Sequence, residues 1–568
     1  MSTDNPSSEA QLSPVEGIKT ESGYLRGVID EEGRDGTDGY GKTSEVLLKF
    51  HGTYQQDDRD YRGGGEHAPH IFMVRSRIPG GILTSKQLLA ELDLADEVGN
   101  STLRITSRQG LQHHGVIKSN LKACIRRINE IQLTTLAACG DVNRNVMCCP
   151  APYKNEVHDA VQKLALDIAI HFAPRTRAYH ELWLTDTSTG ETTRQVDAKK
   201  TPEEVEPIYG AHYLPRKFKM AIGFPHDNCT DVYTNDAGLL ALVEKGHIRG
   251  YNVLVGGGLG VTPANKKTFP ALAQKLCFAT PEKVIEILEA VVKVQRDFGN
   301  RGDRKLARLK YLIHKWGIDA FREKVEEYVG YKLAQPDAED VYGFNDHMGW
   351  DEQGDGKLFY GLNIENGRIK DTDSVRLKTA LREICNQLNP GIRLTSHQSL
   401  IFSDIHPEDR KSLESILTSH GVPLSESIST VRRWSMACVA WPTCGLSITE
   451  SERALPGMMD QLEVVLARLG LSRERFTVRM TGCPNGCARP YNSDIGLVGK
   501  AKNKYTVLTG GRVLGNRLNF VLKDMVPAEE VVSLLERVFT FYKSNRQVGE
   551  ELGDFCFRMG KESLVANV

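Results

Sequence analysis

Four cysteines in the C-terminal third stand at spacings that suit a metal. Cys438 and Cys444 enclose five residues in Met436-Ala-Cys-Val-Ala-Trp-Pro-Thr-Cys-Gly445, and Cys483 and Cys487 enclose three in Thr481-Gly-Cys-Pro-Asn-Gly-Cys-Ala488. Small residues and prolines beside the thiols permit close backbone approach, and four soft thiolates suit an iron–sulfur cluster. Zinc is the alternative, although its paired ligands usually enclose about two to four residues, which makes the longer spacing awkward. Four unrelated buried thiols are the plain third reading. The adjacent Cys148 and Cys149, with Cys124, Cys139, Cys229, Cys277, Cys385 and Cys556, lack partners at ligand spacing and read as core thiols.

A second kind of chemistry comes from cations in short, apolar or rigid segments. Arg75 and Arg77 lie in Val74-Arg-Ser-Arg-Ile-Pro-Gly-Gly81, Arg144 in Val142-Asn-Arg-Asn-Val146, and Arg216, Lys217 and Lys219 in Tyr213-Leu-Pro-Arg-Lys-Phe-Lys-Met220. Alternation along an extended chain puts Lys217 and Lys219 on one face, with Phe218 on the other. Two ammonium groups sharing a face repel unless an anion sits between them. With the arginines they suit a polyanionic cofactor and a small oxyanion. A solvated strand edge is the competing reading. Gly256-Gly-Gly-Leu-Gly260 lacks dinucleotide spacing and reads as a tight turn passing near a cofactor. His51, His113 and His114 read first as hydrogen-bonded structural groups.

The elements that must position these residues are written twice. Leu103-Arg-Ile-Thr-Ser-Arg-Gln-Gly-Leu111 returns as Ile392-Arg-Leu-Thr-Ser-His-Gln-Ser-Leu400, with five of nine positions identical. Ile222-Gly-Phe-Pro225 returns as Thr481-Gly-Cys-Pro484, and Tyr251-Asn-Val-Leu-Val-Gly-Gly257 as Tyr505-Thr-Val-Leu-Thr-Gly-Gly511. The order is kept, at separations of 254 to 289 residues, too long for a solenoid and suited to one duplicated α/β unit. Phe224 and Asn228 stand where the second copy has Cys483 and Cys487, and Cys149 falls opposite Cys438. Apolar spacing predicts helices over 86–97, 121–132, 155–172, 281–297 and 458–469. It predicts strands over 45–54, 104–109 and 251–255, with 336–349 joining the halves.

Length and charge bound the rest. The 568 residues suffice for several domains, and a net charge of −1 gives no bulk field for nucleic acid or an anionic membrane. The polar N-terminus lacks an apolar signal region, and no run of about 18 apolar residues occurs, so the chain reads as soluble and cytoplasmic. The expected division is a mobile N-terminal arm over 1–42 and two-domain copies over 43–135 with 136–335 and over 350–425 with 426–568.

Together these segments resemble the siroheme sulfite and nitrite reductase family over nearly the whole chain. The resemblance rests on His51-Gly-Thr-Tyr-Gln-Gln56, Thr106-Ser-Arg-Gln109 with Gln112-His-His-Gly115, Asn143-Arg-Asn145, Leu214-Pro-Arg-Lys-Phe-Lys219, Gly299-Asn-Arg-Gly-Asp-Arg-Lys305 and both cysteine pairs. It implies an α/β (α+β) fold: an internally duplicated two-domain unit with pseudo-twofold symmetry, ferredoxin-like half-domains plus siroheme/Fe–S domains. It implies a 4Fe–4S cluster on Cys438, Cys444, Cys483 and Cys487, with Cys487 also bridging to siroheme iron. Arg104, Arg108, Gln112 and His114 match positions around the macrocycle, and Arg75, Arg144, Lys217 and Lys219 match the substrate side. The implied activity is six-electron reduction of sulfite to sulfide in sulfate assimilation and cysteine biosynthesis. A nitrite reductase is the sister reading, disfavoured by the second lysine of Lys217-Phe-Lys219; a cluster-bearing electron carrier is the reading outside enzymes. The electron donor implied first is a flavoprotein reductase subunit using NADPH and FAD/FMN, suggested by Glu21-Ser-Gly-Tyr-Leu-Arg-Gly27. Arg62-Gly-Gly-Gly65 and Ala138-Cys-Gly140 look closer to ferredoxin-dependent relatives.

Overall fold

A computed structural model describes residues 12–62, 68–176, 178, 183–185, 192–194, 206–262 and 265–568. It contains two copies of a pair of sheets. The first ferredoxin-like sheet carries Thr53–Asp57, His70–Ser76, Leu111–Val116 and Leu103–Ile105; the second carries Gly349–Glu352, Leu358–Leu362, Leu400–Ile405 and Gly391–Leu394. Helices Ser85–Val98 and Leu377–Gln387 pack between them around a shared apolar core that includes Leu88, Leu92, Leu381 and Ile384.

Each of these sheets is completed by the other half. Ile82–Thr84, from the first copy, pairs antiparallel with Gly391–Leu394 of the second, and Arg368–Ile369 from the second pairs with Leu103–Ile105 of the first. The exchange covers two sheet edges that would otherwise offer unpaired backbone groups. It also ties the half-domains into one folding unit.

The larger sheets repeat as well. In the first copy Met220–Gly223 runs parallel to Ala237–Glu244, followed by antiparallel His247–Val255 and Gln274–Ala279. In the second, Val478–Thr481 runs parallel to Ile495–Ala501, followed by antiparallel Lys504–Thr509 and Phe520–Pro527. Ser435–Ala437 adds a parallel edge to the second sheet, and the 143–147 segment does so in the first through bridges to Phe218 and Ala221. Met147 lies beside Ala221 as Ala437 lies beside Met480. The register therefore puts Cys148, not Cys149, opposite Cys438.

After each parallel strand comes a loop and a short 3-10 turn, entered through a left-handed residue: Asp231 (φ 52°) in the first copy and Arg489 (φ 54°) in the second. These two symmetry partners form a buried ion pair. Arg479 Nη1 reaches the same Asp231 carboxylate at 3.0 Å. Two buried guanidinium groups on one buried carboxylate fix how the halves meet.

All five predicted helices are present: Ser85–Val98, Leu121–Glu130, Glu156–His171, Val284–Phe298 and Leu455–Leu469. Three expectations require correction. The 45–54 segment is a helix, Lys42–Phe50, followed by the strand Thr53–Asp57. Its Glu, Leu and Lys residues are better helix formers than strand formers, and it buries Leu47 and Phe50 in one core and Leu48 in another. The 104–109 strand stops at Ile105 and turns through Gln109 (φ 53°). Residues 12–42 are no unpacked arm. Helix Pro14–Glu21 docks on the first half, where Lys19 is 0% exposed and donates to Glu16 Oε1 and Leu214 O, both at 2.7 Å. Leu25 enters the core, and its carbonyl contacts His51 Nε2 at 2.8 Å. Polar composition hid this packing because its charges are paired internally. Residues 1–11 lie outside the described residues.

Candidate functional site

The two cysteine loops follow adjacent parallel strands at one edge of the second large sheet, Ser435–Ala437 and Val478–Thr481. Cys438 follows the edge strand and its N–H donates to Met480 O at 3.1 Å; Cys444 N donates to Ala440 O at 3.0 Å. Gly482, at the end of the neighbouring strand, donates its N–H to Cys438 Sγ at 3.3 Å. A Cβ on Gly482 would lie 2.4 Å from Thr449 O and 2.6 Å from both Ala440 Cβ and Ser447 Oγ, so only glycine lets the loops close on one another. The thiols are electrostatic neighbours. Burial raises Cys438, Cys444 and Cys483, and the charge of Cys487 raises each of them further, with Cys483 reaching about 12. Four thiols so gathered favour a cationic centre that takes them as thiolates.

Arg59 seals the first loop, and sequence reasoning missed it. Its guanidinium donates to Pro442 O and Ser447 O at 2.9 Å and to Cys444 O at 2.6 Å, and it stacks 3.8 Å from the Trp441 ring. It comes from the first half, more than 380 residues away in sequence. No local motif could announce such a contact.

Cys487 borders a pocket between the halves. Arg108, Lys217, Lys219, Arg308 and Arg489 line the same space. Burial, then like charges, depress both lysines well below the ordinary lysine range. Arg216, Lys219 and Arg144 act on Lys217; Arg108, Arg308 and Arg144 act on Lys219. Burial and the charges of Arg144, Arg489 and Arg308 push Arg108 down too. Lys219 is attached just before the strand Met220–Gly223, its N–H held by Asp236 Oδ2 at 2.9 Å. Phe218 beside it is 0% exposed, as alternation requires. Arg308 and Arg489 are neutralised by Asp236 and Asp231, whereas no ion pair of Lys217, Lys219 or Arg108 occurs among the described residues.

Arg108 is oriented by carbonyls and an amide. Nη1 donates to Asn235 Oδ1 at 2.8 Å and Nη2 to Asn145 O at 2.6 Å, while Nε is buried without a partner among the described residues. Its neighbour Ser107 donates through Oγ to Cys487 O at 2.9 Å, clamping the cysteine loop to the first half. Arg489 reinforces the clamp by donating to Ser107 O at 3.0 Å. The glycine turn also borders the pocket at Leu259 and Gly260, pinned by Lys310 Nζ donating to Gly258 O at 2.8 Å and Gly260 O at 2.9 Å.

The remaining predicted residues are not among those that line this pocket. Arg144 acts electrostatically on both lysines and donates through Nε to Gly140 O at 3.1 Å. Arg75 donates to Cys139 Sγ at 2.8 Å and, with the Gln112 amide in its favoured orientation, to the Gln112 oxygen at 2.6 Å. Tyr54 is the electrostatic neighbour of Cys139, Arg144 and Arg75, joining the last two. Arg104 pairs through Nε with Glu452 at 2.8 Å and donates through Nη2 to Ala437 O at 2.9 Å, one residue before Cys438. His114 is buried with both ring nitrogens unpartnered among the described residues, as are both amide atoms of Asn143. His113 and His51 are structural, bonded to Glu91 and Leu25 O.

These features have counterparts among known proteins. Residues 166–333 and 429–568 match the family described as nitrite and sulphite reductase 4Fe–4S domain, and 65–131 and 351–420 match the nitrite/sulfite reductase ferredoxin-like half domain. A sulfite reductase (NADPH) hemoprotein beta-component from Staphylococcus haemolyticus is 41% identical over 557 residues, covering 97% of this chain and 96% of that protein. A sulfite reductase (ferredoxin) from Synechococcus elongatus is 43% identical over 98% of this chain and 90% of its own length. The solved structure of the Mycobacterium tuberculosis NirA protein superposes with a TM-score of 0.80 at 26% identity, covering 98% of each chain. No helix among the described residues is long and apolar enough to cross a membrane.

Proposed function

The chain belongs to the nitrite and sulphite reductase family, and on that premise we propose that it performs the six-electron reduction of sulfite to sulfide in sulfate assimilation and cysteine biosynthesis. The observation that carries this reading is the pocket in which Arg108, Lys217 and Lys219 meet Cys487.

The residues fit the two groups such an enzyme needs. Cys438, Cys444, Cys483 and Cys487 would hold the 4Fe–4S cluster, with Cys487 also reaching the siroheme. Siroheme carries several carboxylates, and the unpaired Arg108 Nε and the unpartnered atoms of His114 and Asn143 are the kind of buried polar groups it would satisfy. When bound, the two groups supply an open iron position and single-electron transfer.

The chain's own work is charge and protons. Arg75 and Arg144 present positive charge to a small oxyanion in a confined space, where such charge acts more strongly than in water, and the anion in turn favours the charged form of Lys217 and Lys219. Arg75 is steadied by Gln112 and Cys139, and Arg144 by Gly140 O. The depressed lysines hold their protons loosely, so each ammonium is suited to donate one to a sulfite oxygen as its bond to sulfur breaks. Two adjacent lysines suit a doubly charged anion better than singly charged nitrite. As donor we favour an NADPH flavoprotein subunit over ferredoxin, in keeping with the NADPH in the name of the staphylococcal relative.

The test is steady-state turnover of the cofactor-loaded protein with a reduced viologen dye. A higher kcat/KM for sulfite than for nitrite, with sulfide as product, supports the reading. A preference for nitrite moves the chain to the sister activity, and no turnover of either removes the enzyme reading.

A further inference from the structure

The first copy gathers metal-ligating side chains of its own. Cys149, Asp227, Cys229 and His347 are all buried, and their ligand atoms lie within 4.8 Å of one another. His347 Nε2 is 2.9 Å from Asp227 Oδ2 and 3.5 Å from Cys149 Sγ, and Cys149 Sγ is 3.1 Å from the same carboxylate oxygen. A carboxylate, an imidazole and two thiols thus share one small buried space, with His347 set against Asp227 as its ion-pair partner.

Its place in the duplication gives the cluster meaning. Counting back from the symmetry partners Asp231 and Arg489 puts Cys229 opposite Cys487. The hydrogen bonds agree, because Ser396 Oγ donates to Cys229 O as Ser107 Oγ donates to Cys487 O. Phe224 and Cys148, which stand opposite Cys483 and Cys438, face other surroundings: Phe224 stacks on His226, and Cys148 O accepts from Gln109. The first copy therefore lacks the four-cysteine pattern but gathers a different four-ligand set in the same loops, with Cys229 opposite Cys487 and Cys149 one residue beyond the position opposite Cys438.

The geometry points to a structural zinc site of the type Cys2HisAsp, formed by Cys149, Cys229, His347 and Asp227. Zinc takes thiolate, imidazole and carboxylate together at about 2.0–2.3 Å in a tetrahedron, whose edges are then about 3.3–3.8 Å. The distances of 2.9, 3.1 and 3.5 Å among His347, Asp227 and Cys149 lie near this range, and no two of the four ligand atoms are more than 4.8 Å apart, so side-chain shifts of about 1 Å or less bring the set to a tetrahedron. Two thiols exclude calcium and magnesium, which select oxygen. Ligand atoms this close surround a single ion and leave no room for a four-iron cluster.

The ligands are also oriented. Asp227 Oδ1 accepts from Cys229 N at 3.2 Å and Asn345 N at 3.0 Å, turning Oδ2 toward the cluster. His347 is held at φ 58°, a strained conformation for a histidine, with its N–H on Asn345 Oδ1 at 2.9 Å. His347 belongs to the segment that joins the halves, whereas Asp227 and Cys229 belong to the loop after Met220–Gly223, the strand that follows Lys219. Four protein ligands leave no open position, so the ion fastens the junction to the pocket wall and takes no part in turnover.

The experiment is metal analysis of the untagged holoenzyme, joined to anomalous diffraction from its crystals at the zinc edge. About one zinc per chain beyond the iron is expected, with one anomalous peak among these four residues. His347→Ala and Cys229→Ser should each lower zinc content without removing the iron of the other half. Zinc below about a tenth per chain with no peak overturns the proposal. So does a Cys149–Cys229 disulfide in the native mass, or a peak seen only at another metal's edge. The wild-type measurement decides the matter even where a variant fails to fold.

Discussion

The loops Thr106–Gln109 and Thr395–Gln398 occupy the same place in the two halves and carry different chemistry. Both turn through a left-handed glutamine, Gln109 at φ 53° and Gln398 at φ 64°. Both glutamine amides donate to a backbone carbonyl at 2.9 Å, Gln109 to Leu394 O of the other half and Gln398 to Ala437 O of its own. Both serines clamp a cysteine loop of the opposite copy. Only the third residue differs in purpose. Arg108 lines the cationic pocket; His397 packs 5.1 Å from the Phe344 ring and 6.3 Å from Trp434. Phe344 itself lies 5.2 Å from Trp434, so aromatic rings occupy the second-copy space. Scaffold hydrogen bonds are kept in duplicate, whereas side chains facing the site have diverged until one place holds cations and the other is filled.

That division can be broken from several directions. The largest effect is expected at the cysteines: Cys483→Ser should abolish the cluster and turnover together, read by iron content and reduced-state spectroscopy. Asp231→Asn attacks the axis. It leaves Arg479 and Arg489 buried with no full negative charge, and should lower folding stability by about 3–5 kcal/mol, measured as a shift in the denaturant midpoint. Arg59→Ala removes three hydrogen bonds from a charged group to the first cysteine loop. A loss of about 2 kcal/mol there should speed iron release to a chelator roughly thirtyfold. The smallest effect belongs to the filled side: His397→Gln should leave sulfite turnover within about twofold of the parent, sharpening the contrast with Arg108.

Much of this was legible in the residues. The echoes at 103–111 and 392–400 mark strands and loops that superpose in function, and the cysteine spacings marked the loops that close on one another. Lys217 and Lys219 share a face because Phe218 must be buried between them. What escaped notice was non-local or too short to carry a pattern. Ile82–Thr84 and Arg368–Ile369 are strands of three and two residues, and nothing in them announces exchange between halves. Arg59 and Glu452 act across hundreds of residues. The grouping of Cys149 with Cys229 and His347 depends on a loop and a junction that sequence spacing cannot bring together.

The most direct test of the central claim is Lys219→Asn in the cofactor-loaded protein, with kcat/KM measured for sulfite and for nitrite. If the lysine pair exists to hold a doubly charged anion, sulfite should lose on the order of 10²-fold, with nitrite losing less than about tenfold. Equal losses for both substrates would contradict it, and would assign the lysine to the macrocycle or to the fold.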